Sequence, residues 1–565
     1  MDDFTKIPQL KKNKMGVWTV VFMLYCLCAA GAFGIEEMIP ILGPGLTIVL
    51  LLLLPGIYGY PIGLMCAELG SVKPEEGGFY TWPRDSLGEF WGFQAGWWRT
   101  FGVYIDNTLY VILAGEYLGA AFELSWPAIF AVKMSMILVF TVINLIGLKE
   151  VGSVSTVLAV IVLIGFTCVA VVGFANVNTN PMEPFFSGEG GVAAALGTGL
   201  AIGMWMYCGY ESMSSVAEEL EDPQVIPKAL IIVVPLMAAT YILPTIAGLA
   251  SLGEGNWELW STESGVDSIS YANVLGEYLG RAGLVGFAFV AVIANLSIYN
   301  TYIASGSRGF FVLAQDKLGP PFLAKISKRG SPHVAIISMA IFNAVLCHFP
   351  FAVVVVLGMF VYMFSLGMVM VSGVRLRKQI PDRPKGIYKI PVSDNGLIAV
   401  AVVPCVIMIF ALYTAGTDYF FAGVLVLLTG PFMYIWWKKK YGGLALIDPE
   451  KYPLDPKTGL GIIDSWHLSN VFFVTAIGCA LARVILPLYE QDWDPLYDYD
   501  ISGLIATEEL YELEGAELVA LEEELYPAAE ALIGGLQNGI LALAAVALIL
   551  GLAFRMSYKK QKKAN

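Results

Sequence analysis

The chain has 565 residues, of which 57% are apolar and 14% are charged, and its mean hydropathy is +0.69. Soluble globular proteins usually carry about 25% charged residues, so this composition excludes that class and indicates one large membrane body. The net charge of −14 comes from one segment, because fourteen acidic residues and no basic one lie between Glu490 and Glu530. The rest of the chain is neutral and offers no basic surface to nucleic acid.

The residues that usually hold metals or form disulfides are scattered. The eight cysteines lie in apolar runs and are expected to be small packing residues. The three histidines, His333, His348 and His467, are far apart in the sequence. This pattern predicts no disulfide framework, no metal site and no cofactor.

Fourteen apolar stretches are long enough to cross a hydrocarbon core of about 30 Å, which takes roughly 20 helical residues. They are 17–38, 46–68, 91–118, 129–148, 153–175, 192–213, 229–252, 282–304, 333–351, 353–373, 398–415, 419–437, 469–488 and 533–554. We therefore expect an all-α, multi-pass protein of the lipid bilayer. Glu68 and Glu116 lie close to the ends of their stretches and are expected to be solvated.

The distribution of Lys and Arg predicts the orientation of these helices. Residues 1–16 form a charged leader, and placing them in the cytoplasm leaves only Lys133, Arg281 and Arg483 towards the outside. Both termini then face the cytoplasm, at the cell membrane, and the acidic segment 489–531 faces outside. This segment is expected to be a solvated cap, with a lid or a surface for an unknown partner as the alternatives.

Two of the stretches contain glycines beside carboxylates, which a continuous spanning helix would disfavour. The first runs from Gly31 to Glu37, and the second from Gly203 through Gly209 to Glu211. They occupy matching places in two groups of five helices, 17–175 and 192–373. Broken helices at matching places of two halves indicate an inverted-repeat transporter with its site at the breaks, and close helix packing is the alternative.

Several motifs also resemble the amino acid–polyamine–organocation transporters. They are AGAFGIEEMIP, AELGSVKPEEGGFYTW, LGEFWGFQAGWWRTFGVYIDNTLY, MWMYCGYESMSSVAEELEDP and SGSRGFFVLAQDKLGPPFLAKI. The resemblance covers a twelve-helix core at 17–440 and implies a five-plus-five inverted repeat, the LeuT-like fold. A cytoplasmic linker, 441–468, and two further helices within 469–565 lie outside that pattern.

The resemblance implies alternating access, with the substrate held at the breaks. Trp205 stands where amino-acid antiporters of this family place an aromatic gate, and Glu211 where some members place a glutamate that responds to protonation. Asp106, in the middle of the third helix, is a candidate for binding a substrate ammonium. The predicted substrate-binding residues are Gly31, Ala32, Phe33, Gly34, Ile35, Glu36, Asp106, Trp205, Tyr207 and Gly209.

This sequence departs from the family's amino-acid carriers at two places. Phe33 replaces the middle of a small Gly-Ser-Gly type motif, and Glu36 follows soon after it, as in the polyamine-uptake branch. Stretch 153–175 lacks the lysine that substitutes for sodium in some members, so a coupling proton would fall to Glu211, Asp106 or Glu36.

The coupling ion and the substrate therefore stay open. Ser297 and Thr301 are alternative ligands for a sodium ion, and exchange for a second substrate molecule is also compatible with the family. The leading expectation is a secondary carrier of amino acids. The alternatives are a polyamine or cationic-amine carrier of the same fold and a membrane sensor that does not transport. No P-loop, metal cluster or HExxH motif indicates an enzyme.

Overall fold

The fold is described from a computed structural model of the chain. It describes residues 16–28, 31–73, 77–146, 152–188, 191–209, 225–252, 255–263, 268–327, 332–380, 387–499 and 515–564. These residues are almost entirely helical and contain two isolated β-bridges but no β-strand. Because a helix satisfies its backbone hydrogen bonds internally, it is the natural element for so apolar a chain.

The first group of helices begins with an interrupted one. Its members are α1 (Val17–Cys28), α2 (Met38–Leu42), α3 (Pro44–Leu54), α4 (Tyr60–Val72), α5 (Gly78–Leu87), α6 (Glu89–Phe122), α7 (Trp126–Ile146) and α8 (Gly152–Ala175). A 3₁₀ turn at Ile35–Glu37 precedes α2, and a π-helical turn at Pro55–Gly59 joins α3 to α4.

The second group also opens with a shortened helix. Its members are α9 (Val192–Met206), α10 (Val225–Ser251), α11 (Tyr271–Leu279), α12 (Arg281–Gln315), α13 (His333–Leu346) and α14 (Phe351–Gln379). A 3₁₀ helix at Asn256–Leu259 lies between α10 and α11.

Four long helices follow among the described residues. They are α15 (Asp394–Thr414), α16 (Thr417–Tyr441), α17 (Asp464–Tyr489) and α18 (Ala516–Ala564). With 49 residues, α18 is roughly 70 Å long and exceeds the thickness of a bilayer. Its first turns carry part of the acidic segment, and Leu518, Leu521 and Leu525 there pack against Leu496.

Every one of the fourteen predicted stretches overlaps a helix of the structure. Among the described residues, ten helices are long and apolar enough to cross a membrane. Val17–Cys26, Ala195–Met206 and His333–Leu346 are apolar but shorter, and α6 carries Arg99, Asp106 and Asn107 in its middle. The protein is therefore an all-α, multi-pass membrane protein, and its count of fourteen crossings stays a prediction.

Helix α6 lies at the centre of the bundle, where it packs against α5, α7, α12, α13 and α14. Most of its side chains are buried, including the polar Gln94, Thr100, Asn107 and Thr108. Asn107 donates to Asn343 on α13 over 3.2 Å, and Asn343 donates to the Thr108 hydroxyl over 2.7 Å. These bonds satisfy polar groups that lipid could not, and they fix α6 against α13.

The prediction that Glu68 and Glu116 are solvated is wrong. Arg377 on α14 pairs with Glu68, and each side chain is only 2% exposed. Arg377 also donates to the carbonyl of Ile390, whose N–H donates to Glu68. Glu116 pairs with Lys133 on α7 over 2.5 Å, and both are largely buried. Neighbouring helices cover these helix ends, which spacing along one helix does not reveal.

The buried pair of Glu68 and Arg377 generates a stability prediction. Glu68→Ala leaves Arg377 as an uncompensated buried charge, which typically costs about 3–5 kcal/mol. We therefore expect a large fall in the unfolding temperature of the detergent-solubilised protein. Lys73→Ala is the matched control, because Lys73 in its pair with Asp85 is 29% exposed and such pairs contribute about 0–1 kcal/mol. Equal losses in the two variants would contradict the expectation.

Candidate substrate site at the two helix breaks

The first break lies where the sequence predicts it. Helix α1 ends at Cys28, and regular structure resumes at Ile35. Gly31 and Gly34 have φ angles of 111° and 98°, in the region that favours glycine. A Cβ on Gly34 would also collide with the ring of Phe351 and press closely on the ring of Trp205. Glycine at position 34 therefore allows both the backbone turn and the close approach of these two rings.

Glu36 supplies hydrogen-bond acceptors inside this break. Its side chain is fully buried, and one carboxylate oxygen accepts a hydrogen bond from the N–H of Gly34 over 2.8 Å. The other oxygen accepts a hydrogen bond from the Tyr117 hydroxyl of α6. Both donors are neutral, and no Lys or Arg among the described residues pairs with Glu36. The carboxylate thus accepts a hydrogen bond from a backbone N–H that the break makes available.

The second break meets the first. Helix α9 ends at Met206, and Gly209 follows with a φ of 105°. A Cβ on Gly209 would collide with the backbone of Cys28 at the end of α1. The two interruptions are therefore in contact. Glu211, the predicted coupling residue, lies in 210–224, outside the described residues.

Trp205 connects the breaks to α6. Its indole N–H donates to the carboxylate of Asp106 over 2.6 Å. Its ring packs edge-on against Phe351, with 5.4 Å between centroids, and lies 5.9 Å from the ring of Tyr110. The structure thus brings together Asp106, Trp205 and Gly34, which are far apart in the sequence.

A narrow cavity lies beside Trp205. Its walls include Arg99 and Asp106 from α6, Trp205 from α9, Tyr302 from α12 and Tyr362 from α14. Its volume of about 10 Å³ is room for one water molecule. A larger ligand therefore requires the surrounding side chains to move.

Arg99 adds a cation to the cavity, which also contains the carboxylate of Asp106. The guanidinium lies over the rings of Phe79 and Tyr362, 5.0 and 4.9 Å from their centroids. Such contacts stabilise a cation in place of water. Arg99 and Asp106 are seven residues apart on α6, which is about two turns, and both line the cavity.

The other predicted residues of the first break pack away from this cavity. Phe33 lies in an aromatic cluster, with ring centroids 5.1 Å from Tyr117, 4.9 Å from Phe166 and 5.8 Å from Phe287. Gly31 also lies against Phe166, where a Cβ would collide with the ring. Ala32 and Ile35 are fully buried in the core.

Tyr207 also turns away from the cavity. Its hydroxyl donates to the carbonyl of Leu51 on α3 over 2.8 Å, and its ring packs against Tyr241 on α10. On α12, the hydroxyl of Thr301 donates to the carbonyl of Ser297 over 3.0 Å, the bond within one turn that helical threonines commonly form. These contacts fix the local helices and identify no ligand.

Several tyrosines join the site without having been singled out in the sequence. Tyr110 and Tyr117 follow Asp106 by four and eleven residues, about one and three helical turns, so all three share a face of α6. That spacing was the available signal. Tyr302 and Tyr362 come from distant helices, and no local pattern marks them.

Comparisons with known proteins agree with this architecture. The sequence model of the family described as amino acid permease matches residues 15–447. A probable polyamine transporter of Arabidopsis thaliana is 29% identical over 406 residues, which cover 70% of this chain and 79% of that protein. A polyamine transporter of Oryza sativa subsp. japonica is 29% identical over 392 residues, covering 68% and 71% respectively.

A solved structure supports the fold. The crystal structure of a mutant manganese transporter of Eremococcus coleocola matches with a TM-score of 0.52 and 13% identity, over 77% of this chain and 98% of that one. At this identity the likeness concerns the fold alone, which is the LeuT-like arrangement of two inverted repeats. The match of the family model over most of the length shows that the chain belongs to the amino acid permease family, in the amino acid–polyamine–organocation superfamily.

Proposed function

We propose that this transporter carries polyamines or related cationic amines by alternating access at the two helix breaks. The observation that carries the proposal is the hydrogen bond from the Gly34 N–H to Glu36. Free N–H groups at a broken helix are suited to binding the carboxylate of an amino acid. Here the Glu36 side chain takes the Gly34 donor, so that N–H is not free to bind a substrate carboxylate, which favours a substrate with ammonium groups.

The cavity offers a suitable partner for an ammonium group. Asp106 is held by the neutral indole N–H of Trp205, and aromatic rings form much of the surrounding wall. A carboxylate among aromatic side chains can bind an organic ammonium through charge and cation–π attraction. The relatives named as polyamine transporters support the same substrate class.

An amino acid is the second candidate substrate, and Arg99 is the observation that favours it. The cavity contains a guanidinium and a carboxylate about 10 Å apart along α6. These two charges could bind the carboxylate and the amine of a zwitterion. In that case Glu36 would only brace the first break.

For coupling, we propose a proton carried by Glu211, with sodium at Ser297 and Thr301 or exchange of substrates as the alternatives. The proposed setting is the cell membrane, with both termini in the cytoplasm. The acidic segment 489–531 is proposed to be an outer cap that partners could contact.

Counterflow in proteoliposomes tests the substrate class. We expect external putrescine or spermidine to exchange with labelled putrescine inside, and neutral or acidic amino acids not to compete. Competition by a neutral amino acid, with no effect of the amines, would overturn the amine proposal in favour of the second candidate. Absence of any counterflow would favour the sensor.

Asp106→Asn tests the ammonium site. Hydrogen bonds to charged groups contribute about 1.5–3 kcal/mol, so we expect the half-saturating putrescine concentration to rise about 10- to 100-fold. Glu277→Gln is the control, since it also removes one negative charge but lies exposed on α11. Unchanged putrescine affinity in Asp106→Asn would remove Asp106 from the proposed site.

Glu36→Gln tests whether Glu36 is ionised when an amine is bound. An ionised carboxylate about 10 Å from the ammonium contributes about 1–2 kcal/mol at an effective dielectric constant of 20, so putrescine affinity should then fall about tenfold. Binding of neutral amino acids should change less, because they carry no net charge. The ratio of the two affinities, measured by competition in counterflow, is the readout. Equal effects on both substrate classes would show that Glu36 has no part in selectivity.

A further inference from the structure

A second and larger cavity lies at the end of the bundle that the charge pattern predicts to face outside. Its volume is about 310 Å³, within the range of small-molecule sites. Three parts of the chain line it: Pro44 at the start of α3, five residues within 179–184, and six described residues between Leu249 and Trp260. It shares no lining residue with the cavity at Asp106.

The chemistry of this outer pocket suits a cation. Trp257 and Trp260 line it, and the exposed carboxylate of Glu183 stands in its wall. The loops 176–191 and 252–270 together contain six acidic residues and no basic one. Such a field raises the local concentration of cations, and indole rings attract organic ammonium ions more strongly than other aromatic rings do.

One wall of the pocket is bonded to the outer half of the first helix. The hydroxyl of Ser187 donates to the carbonyl of Ile41 over 2.8 Å, and its N–H donates to the carbonyl of Leu42 over 3.2 Å. The N–H of Leu46 donates to the carbonyl of Phe185 over 2.8 Å. The loop that carries Glu183 is thereby tied to α2 and α3.

The opposite wall is bonded to the same half-helix. Glu37, beside the first break, accepts hydrogen bonds from the hydroxyls of Ser261 and Thr262 over 2.9 and 2.6 Å. These residues directly follow Trp260. Both walls of the pocket therefore hold the segment that runs from the first break through α2.

We propose that this outer pocket is a second, regulatory binding site for organic ammonium ions, distinct from the transport site. An ammonium ion between Glu183 and the indole of Trp257 holds the walls together. Because both walls are bonded to α2 and its preceding turn, the bound ion slows the movement of that half-helix and so lowers the transport rate. This inference does not depend on which substrate the transport site carries.

Binding of tetramethylammonium to the full-length protein in lipid nanodiscs tests the site by calorimetry. We expect Glu183→Gln to weaken binding about three- to fivefold and Trp257→Leu about three- to tenfold, whereas Trp257→Phe retains most of the affinity. Glu258→Gln is the matched control, because Glu258 is exposed on the same 3₁₀ helix but does not line the pocket. Asp106→Asn should leave the part of the binding that depends on Glu183 and Trp257 unchanged.

Two outcomes overturn the site: binding that ignores both Glu183 and Trp257, and binding that is lost in Asp106→Asn. The second outcome assigns the ion to the transport cavity and leaves the proposed function intact. Conversely, an outer site that persists while Asp106→Asn has no effect on putrescine transport contradicts only the proposed ammonium site at Asp106.

Transport measurements test the regulatory part. In counterflow with the established substrate, saturating tetramethylammonium should lower the maximal rate about two- to threefold and leave the half-saturating substrate concentration unchanged. The combined variant Glu183→Gln, Trp257→Leu should need at least tenfold more of the ion for the same inhibition. Purely competitive inhibition would overturn regulation from the outer pocket.

Discussion

Backbone polar groups that are exposed within lipid have no water to bond, so a broken helix in a membrane needs internal partners. This constraint governs the centre of the protein. The N–H of Gly34 bonds to Glu36, and Tyr117 supplies a second donor to the same carboxylate. At the other break, the carbonyl of Met206 accepts the hydroxyl of Tyr241. Buried side chains thus supply the hydrogen-bond partners that the backbone at the two breaks needs.

Helix α6 joins the two breaks through one face. Near its middle Asp106 accepts the indole of Trp205 from the second break, and about three turns later Tyr117 reaches Glu36 at the first. A rearrangement of either half-helix must therefore alter a bond to α6. Under the proposed function, an ammonium bound at Asp106 would compete with the indole N–H, so a substrate there would influence both halves together.

Local sequence properties predicted the helices and the places where they break. Runs of about 20 apolar residues are enough to predict the helices. Glycines near carboxylates are enough to predict the breaks, as Gly31, Gly34 and Gly209 show. Partners across the bundle were beyond such reasoning. Trp205 and Asp106 are 99 residues apart, and Glu68 and Arg377 are 309 apart. The direction of Tyr207 likewise depends on the position of α3, which a single helix does not encode.

The two helices beyond the region that the family model matches, α17 and α18, contact the second break indirectly. Gly197 on α9 packs so closely on the end of α15 that a Cβ would collide with the carbonyl of Thr414. Three residues later, the N–H and the hydroxyl of Thr417 each donate over 2.7 Å to Glu490, just beyond α17. A chain shortened after α16 would keep every family motif yet lose the acceptor that closes this turn. The last two helices thus support, through the end of α15, the half-helix that carries Trp205.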